Sequence, residues 1–248
     1  MNKEIIKKHE KLKEKQRKEI KKIEKELIIA YALLFKEIKE IIRETEEKAG
    51  EWNYEELNKY NRLNKTIDEV NKKIDKNRNK EIALITGLLI LGYKRSWEDS
   101  KELIKSNKEV PTLEKIKKNI ADPWSGLSFS ERIWDNQHKL KRKLKSNLIK
   151  RAVDKDNVNK VIKDIEKELN VSYNNAKRLI NTEYTRVNYI AEIELFKEEG
   201  VTEVMYNATL DNSCSECSSM HGKVFRIETE PALPRHANCA CFYTPVLP

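Results

Sequence analysis

Apolar residues recur along the first fifty positions at spacings of three, four, seven and eight: Ile5, Leu12, Ile20, Ile23, Leu27, Leu34, Ile38, Ile41 and Ile42. That is the period of a helix with one face to bury. Lys and Glu alternate between them, which suits an exposed helix laced by pairs one turn apart. The pattern predicts one helix over 2–48, roughly 70 Å long at ~1.5 Å per residue, ended by Gly50. Residues 54–85 repeat the theme with Leu57, Leu63, Ile67, Val70, Ile74, Ile82 and Ile85, predicting an antiparallel return that hides both apolar faces. The most apolar run, Ile82 to Tyr93, is interrupted by Thr86, Gly87 and Gly92 and falls short of the ~20 residues a bilayer span needs. It reads as a buried helix, with Gly87 allowing a close helix approach.

Residues 107–131 break the pattern. Pro111, Pro123 and Gly126 mark a connector, with Trp124, Phe129 and Trp134 placed to pin it to the core. Ser128 or Ser130 caps the next helix, about 130–152, with Glu131 in its first turn; its stripe is Leu140, Leu144 and Leu148. A further stripe, Val158, Val161, Ile162, Ile165 and Leu169, predicts a helix over 157–169. Asn170-Val171-Ser172 then reads as a break, with Ser172 capping a last helix over 173–199 that ends at Gly200. Beyond it the period drops to two. Val204, Tyr206, Ala208 and Leu210 predict a strand, Val224 to Ile227 a second and Cys241 to Tyr243 a third. The predicted class is mainly α, with long, partly coiled-coil-like helices and a small C-terminal α+β region. The divisions are a helical region 1–106, a connector 107–131 and a domain 132–248 whose end, 203–248, holds the Cys/His cluster.

Composition narrows this picture. Of 248 residues, 37% are charged and 38% apolar, too polar for one thick core. The net charge of +9 suits a polyanionic partner, although a Lys-, Asn- and Ile-rich chain carries much of that charge on solvated faces. The local excess lies between Asn136 and Lys163. Lys139, Lys141, Arg142, Lys143, Lys145, Lys150 and Arg151 are candidate contacts to nucleic acid or to an acidic protein, opposed in that stretch by Asp154 and Asp156. Phosphate contacts there would be salt-dependent and blind to sequence; the alternative is a solvated helix face.

All the cysteines fall near the C-terminus, as Cys214-x2-Cys217 and His236-x2-Cys239-x-Cys241. Two close pairs joined by a connector read as a metal site, each pair supplying ligands from one tight turn. Thiolate and neutral imidazole suit tetrahedral zinc, and four of the five candidates suffice. Two disulfides are the alternative, and they need an oxidising compartment. The charged residues after Met1 lack the apolar core of a secretory leader, so a reducing setting and a metal are favoured. Catalytic zinc is disfavoured: neither the H-x-E of a nucleobase deaminase nor an H-E-x-x-H helix occurs. Five candidates fill a structural site, and a zinc there would staple an end too small to build much core.

The ordered motifs resemble the phage head-morphogenesis, or Mu F-like minor head protein, family. The likeness runs from Ala176 through Thr182-Glu183, Ala208 to Asp211, Cys214 and Cys217, His221-Gly222-Lys223 and Pro234 to His236, Cys239 and Cys241. Pro123 to Trp134 resembles a segment of such proteins from phages of low-GC Gram-positive hosts. The chain departs from the family pattern at Ala237, Ala240 and Asn181, sparing the candidate ligands. Thr182, Glu183, Asp211 and Gly222 are the motif residues expected to be structural, and a lone Glu183 is assigned no catalysis. The resemblance implies a non-enzymatic minor head protein, assembled in the host cytoplasm and carried in the virion at the head interior or portal vertex. Its implied partners are portal and capsid or scaffold proteins, with packaged DNA as a further contact through the basic helix. No membrane and no small-molecule substrate are expected. The alternative is a zinc-dependent nucleic-acid-binding protein using residues 136–163.

Overall fold

The computed structural model describes residues 2–123, 125–209 and 213–247, without the side chains of 2–10, 12 and 13. Ile5, Leu12, Trp124, Leu210 and Asp211 therefore lie outside the described residues or side chains. In chain order the elements are α1 (Asn2–Ala49), α2 (Tyr54–Asn58), a 3-10 turn (Lys59–Asn61), α3 (Arg62–Ile104), α4 (Leu113–Ala121), α5 (Phe129–Val153), α6 (Val158–Glu198), β1 (Glu203–Asn207), α7 (Ser215–Met220), β2 (Val224–Arg226) and β3 (Phe242–Pro245). The chain is mainly α with a small C-terminal α+β region, as its periodicity predicts. The strands form one antiparallel sheet in the order β2-β1-β3. No helix among the described residues is long and apolar enough to cross a membrane.

Two compact units emerge, one of residues 24–84 and 130–177, the other of 1–23, 85–129 and 178–248. The first is all helix. Leu27, Leu34, Ile38 and Ile42 of α1, Val70 and Ile74 of α3, Leu140, Leu144 and Leu148 of α5, and Val161 and Ile165 of α6 are buried, so each predicted stripe faces inward. A polar layer crosses this core. The Tyr31 hydroxyl and Gln137 Nε2 both donate to Glu81 Oε2, at 3.2 and 2.8 Å. The Ser172 hydroxyl lies 3.1 Å from that of Tyr31 and accepts from Asn136 Nδ2 at 3.0 Å.

That layer corrects the predicted break at 170–172, because α6 runs straight through it. Serine favours caps when its hydroxyl turns back on its own backbone. Here the hydroxyl is buried with partners on α1 and α5, and continuing the helix through Asn, Val and Ser costs only a few tenths of a kcal/mol per residue.

The second unit holds the sheet. Leu88, Leu89, Tyr93 and Trp97 of α3 are buried in it, with Ile116 and Ile120 of α4 and Ile180, Val187, Leu195 and Phe196 of α6. From Arg62 on, the predicted return helix and the apolar run after it are parts of one helix, α3; its first residues, with Leu57, form α2 and the 3-10 turn instead, where Tyr60 takes a positive φ. Its close approach is at Gly92 and not at Gly87. A Cβ on Gly92 would lie 2.7 Å from Cε2 of Tyr184, whereas one on Gly87 would meet nothing within 4 Å. The connector also contains a helix that its prolines obscured. Thr112 caps α4 by accepting from the Lys115 amide at 3.3 Å, and Ile116 and Ile120 stack one turn apart on the buried side.

Candidate metal centre

The cluster is assembled from α6, α7, the sheet and the loops between them. α7 replaces the expected tight turn around Cys214 and Cys217. The Cys214 sulfur caps it, accepting from the Cys217 amide at 3.4 Å. The turn from α7 into β2 passes through Gly222, whose φ of 78° lies in the left-handed region that glycine reaches without strain. Its amide donates to the Tyr206 carbonyl at 2.8 Å, docking that turn on β1.

Cys217 is the centre of the arrangement. The ligand atoms of Cys214, Cys217 and His236 lie within 4.8 Å of one another, and so do those of Cys217, Cys239 and Cys241. His236 Nε2 stands 3.4 Å from the Cys214 sulfur and 3.3 Å from that of Cys217. Its Nδ1 lies 2.9 Å from the Ala237 carbonyl. A proton held on Nδ1 by that carbonyl leaves the Nε2 lone pair facing the sulfurs, the orientation a metal-bound imidazole needs. All four cysteines are free thiols.

The electrostatics suit a cation. A hydrogen bond from Cys241 draws the Cys239 thiol down to about 5, helped by the backbone amides of Cys241 and Arg235. Cys241, keeping the shared proton, is pushed up by that same bond and by burial. The Cys217 amide lowers Cys214, burial raises Cys217, and the Ala237 carbonyl raises His236. The cluster thus holds thiolate character beside imidazole and thiol protons that a metal would displace. Sulfur-rich donors with one imidazole match zinc better than the oxygen-seeking cations. Each group offers three protein donors, with Cys217 common to both.

What surrounds the candidate ligands is a real core. Cys217, Cys239 and Cys241 are buried together with Ile193 and Phe196 of α6, Val204 and Tyr206 of β1, Leu233 and Tyr243. The expectation of a nearly coreless end is thus corrected: α6 lends its last turns to the sheet. α6 also grips the ligand loop directly. Thr182 Oγ1 accepts from the Asn238 amide at 3.0 Å, and Thr185 Oγ1 donates to the Cys239 carbonyl at 2.6 Å. Glu183 faces elsewhere and pairs with Arg186 at 2.7 Å, both nearly fully buried. Arg186 donates in turn to the Asn119 and Ile120 carbonyls at the end of α4, at 3.2 and 2.6 Å. The Thr-Glu motif therefore joins the ligand loop and α4 to one helix.

Two supporting residues escape sequence reasoning: Thr185 and Tyr206, whose hydroxyl donates to the Cys217 sulfur at 3.3 Å. His221, which the sequence marks only as part of the family motif, accepts through Nδ1 from the Ala208 amide at 3.2 Å. The spacing of Thr182 and Thr185 on one helix face was the one available signal. A cavity of about 340 Å³ beside the sulfurs is lined by Arg17, Thr209, Ser213, His236 and Asn238 among others.

The basic residues of α5 divide into two groups. Lys141 pairs with Asp75 at 2.6 Å, Lys139 with Asp135 at 2.5 Å, and Arg151 with Asp156 and Asp164 at 2.7 and 2.8 Å. Arg142, Lys143, Lys145 and Lys150 are exposed.

Helix, sheet and cysteine cluster together define a small α+β module with a candidate metal site. Residues 143–244 match the family model described as Phage Mu protein F like protein, a span containing α6, the sheet and all five candidate ligands. Over that span, less than half of its length, the chain is similar to the Mu F-like family. Comparisons with curated proteins and with solved structures found no match.

Proposed function

We propose that the protein is a minor head component, present in few copies, that assembles at the portal vertex with portal and capsid or scaffold proteins. Its work is structural, and a zinc ion held by the Cys/His cluster serves as a folding staple for the module that meets those partners. The observation carrying this reading is the coincidence of the family match, 143–244, with the complete ligand set and its α6 clamp. A closed site of protein donors stabilises a fold without offering a position to substrate. Purified heads from phage carrying the intact gene are expected to contain the chain at low copy and to retain it with the portal. Heads from a gene deletion are expected to be defective. The proposal fails if the chain is absent from purified heads and the deletion leaves their yield and DNA content unchanged.

The exposed Arg142, Lys143, Lys145 and Lys150 favour a second contribution, contact with packaged DNA. Four phosphate contacts would give a slope of log K against log salt of about −3.6. Arg142→Ala with Lys143→Ala should flatten that slope by about half. Failure to retain duplex DNA even at low salt rules the contact out.

A further inference from the structure

One face of α1 carries aliphatic side chains that are largely open to solvent. Ile29 and Leu33 stand 59% and 51% exposed there, one turn apart, and Glu26 and Lys36 flank them, both exposed. Beside this stripe lies an apolar groove of about 260 Å³, lined by Ile28, Ala32 and Phe35 of α1 with Leu169 and Tyr173 of α6. Two large aliphatic side chains in water on an otherwise charged helix face are a contact without a partner.

The order of charges around them says which partner fits. Reading outward from the level of Tyr31, Ile29 mirrors Leu33 and Glu26 mirrors Lys36. The sequence continues the same relation, with Lys22 mirroring Glu40, Lys18 mirroring Glu44 and Lys15 mirroring Glu47. Every charged position in this set is matched by the opposite sign, and their spacing of three and four residues keeps all of them on one helical stripe. A helix with that inverted symmetry is complementary to itself when turned end over end. In parallel register each residue would face its own like charge, which disfavours that arrangement.

We propose that α1 pairs with α1 of a second copy, antiparallel about a two-fold axis level with Tyr31. Ile29 packs on Leu33 of the second copy, and Glu26 pairs with its Lys36. A two-fold contact repeats each interaction, so one short stripe contributes two apolar contacts and two ion pairs at the centre. The apolar flank leading to the groove extends the same surface. The contact is small and belongs to the weak class of interface, matching a component that dimerises at high local concentration.

Sedimentation equilibrium of the full chain over a concentration series tests this. The parent protein should show a monomer–dimer equilibrium, and Ile29→Asp with Leu33→Asp should abolish the dimer. Glu26→Lys alone, or Lys36→Glu alone, places like charges across the axis twice and should weaken the dimer about tenfold. The two swaps combined restore opposite charges and should return the dissociation constant to within about twofold of the parent. Circular dichroism of each variant confirms retained helicity, so loss of dimer cannot be mistaken for unfolding. A parent chain that remains monomeric up to about 1 mM, or a double swap as weak as either single one, overturns the proposal.

Discussion

Glu81 sits in the helical core between Tyr31 and Gln137, and burial pushes its carboxyl up from 4.5 to about 7, against the hydrogen bonds from those two residues. Its Oε1 and the Oε1 of Gln137 have no hydrogen-bond partner among the described residues. A raised carboxyl means that the folded chain holds a proton the unfolded chain has released. Stability from this group is therefore full below about 4.5 and is lost as pH rises to about 7, on the order of 3 kcal/mol in all. Glu81→Gln keeps an acceptor for the same partners and carries no charge to desolvate. Urea denaturation at pH 8 should find the variant more stable than the parent by about 1–3 kcal/mol, with the gap closing near pH 4. An equal gap at both values would show that the carboxyl is not ionising in the core. Nothing local in the sequence marks Glu81 as buried; it is one of four Glu residues on α3, and only the partners from α1 and α5 single it out.

Helix faces were legible wherever apolar residues kept a strict period, as at Leu140, Leu144 and Leu148. Their interruptions were less so. Ser172 carries the chemistry of a cap yet sits inside α6, because partners more than thirty residues away take up its hydroxyl. Thr112 is a true cap, but the neighbouring Pro111 made the stretch read as connector. The two glycines of α3 differ in the same way: both lie in one apolar helical run, and they are separated by what lies opposite. Gly92→Ala would drive a Cβ into the Tyr184 ring and should cost about 1–3 kcal/mol. Gly87→Ala projects into open space and should stabilise α3 by up to about 1 kcal/mol. Paired thermal melts decide this, and equal effects of like sign would contradict the assigned helix approach.

At the scale of the whole molecule, the C-terminal module joins a sheet of short strands to the end of a long helix through a cluster of thiols. The candidate ligands stand out in the sequence because each pair is close and every cysteine lies in that one region. The grip of α6 was not, since Thr182 and Thr185 meet their partners 56 and 54 residues away. Elemental mass spectrometry on protein purified without added metal is the most direct test of the central claim, set beside a Cys217→Ser variant. Cys217 is the one residue common to both ligand groups, so its loss should empty the site. About one zinc per chain is expected, lost in the variant together with protection of β1 and β3 from hydrogen exchange. A metal-free parent whose cysteines titrate as two disulfides would contradict it.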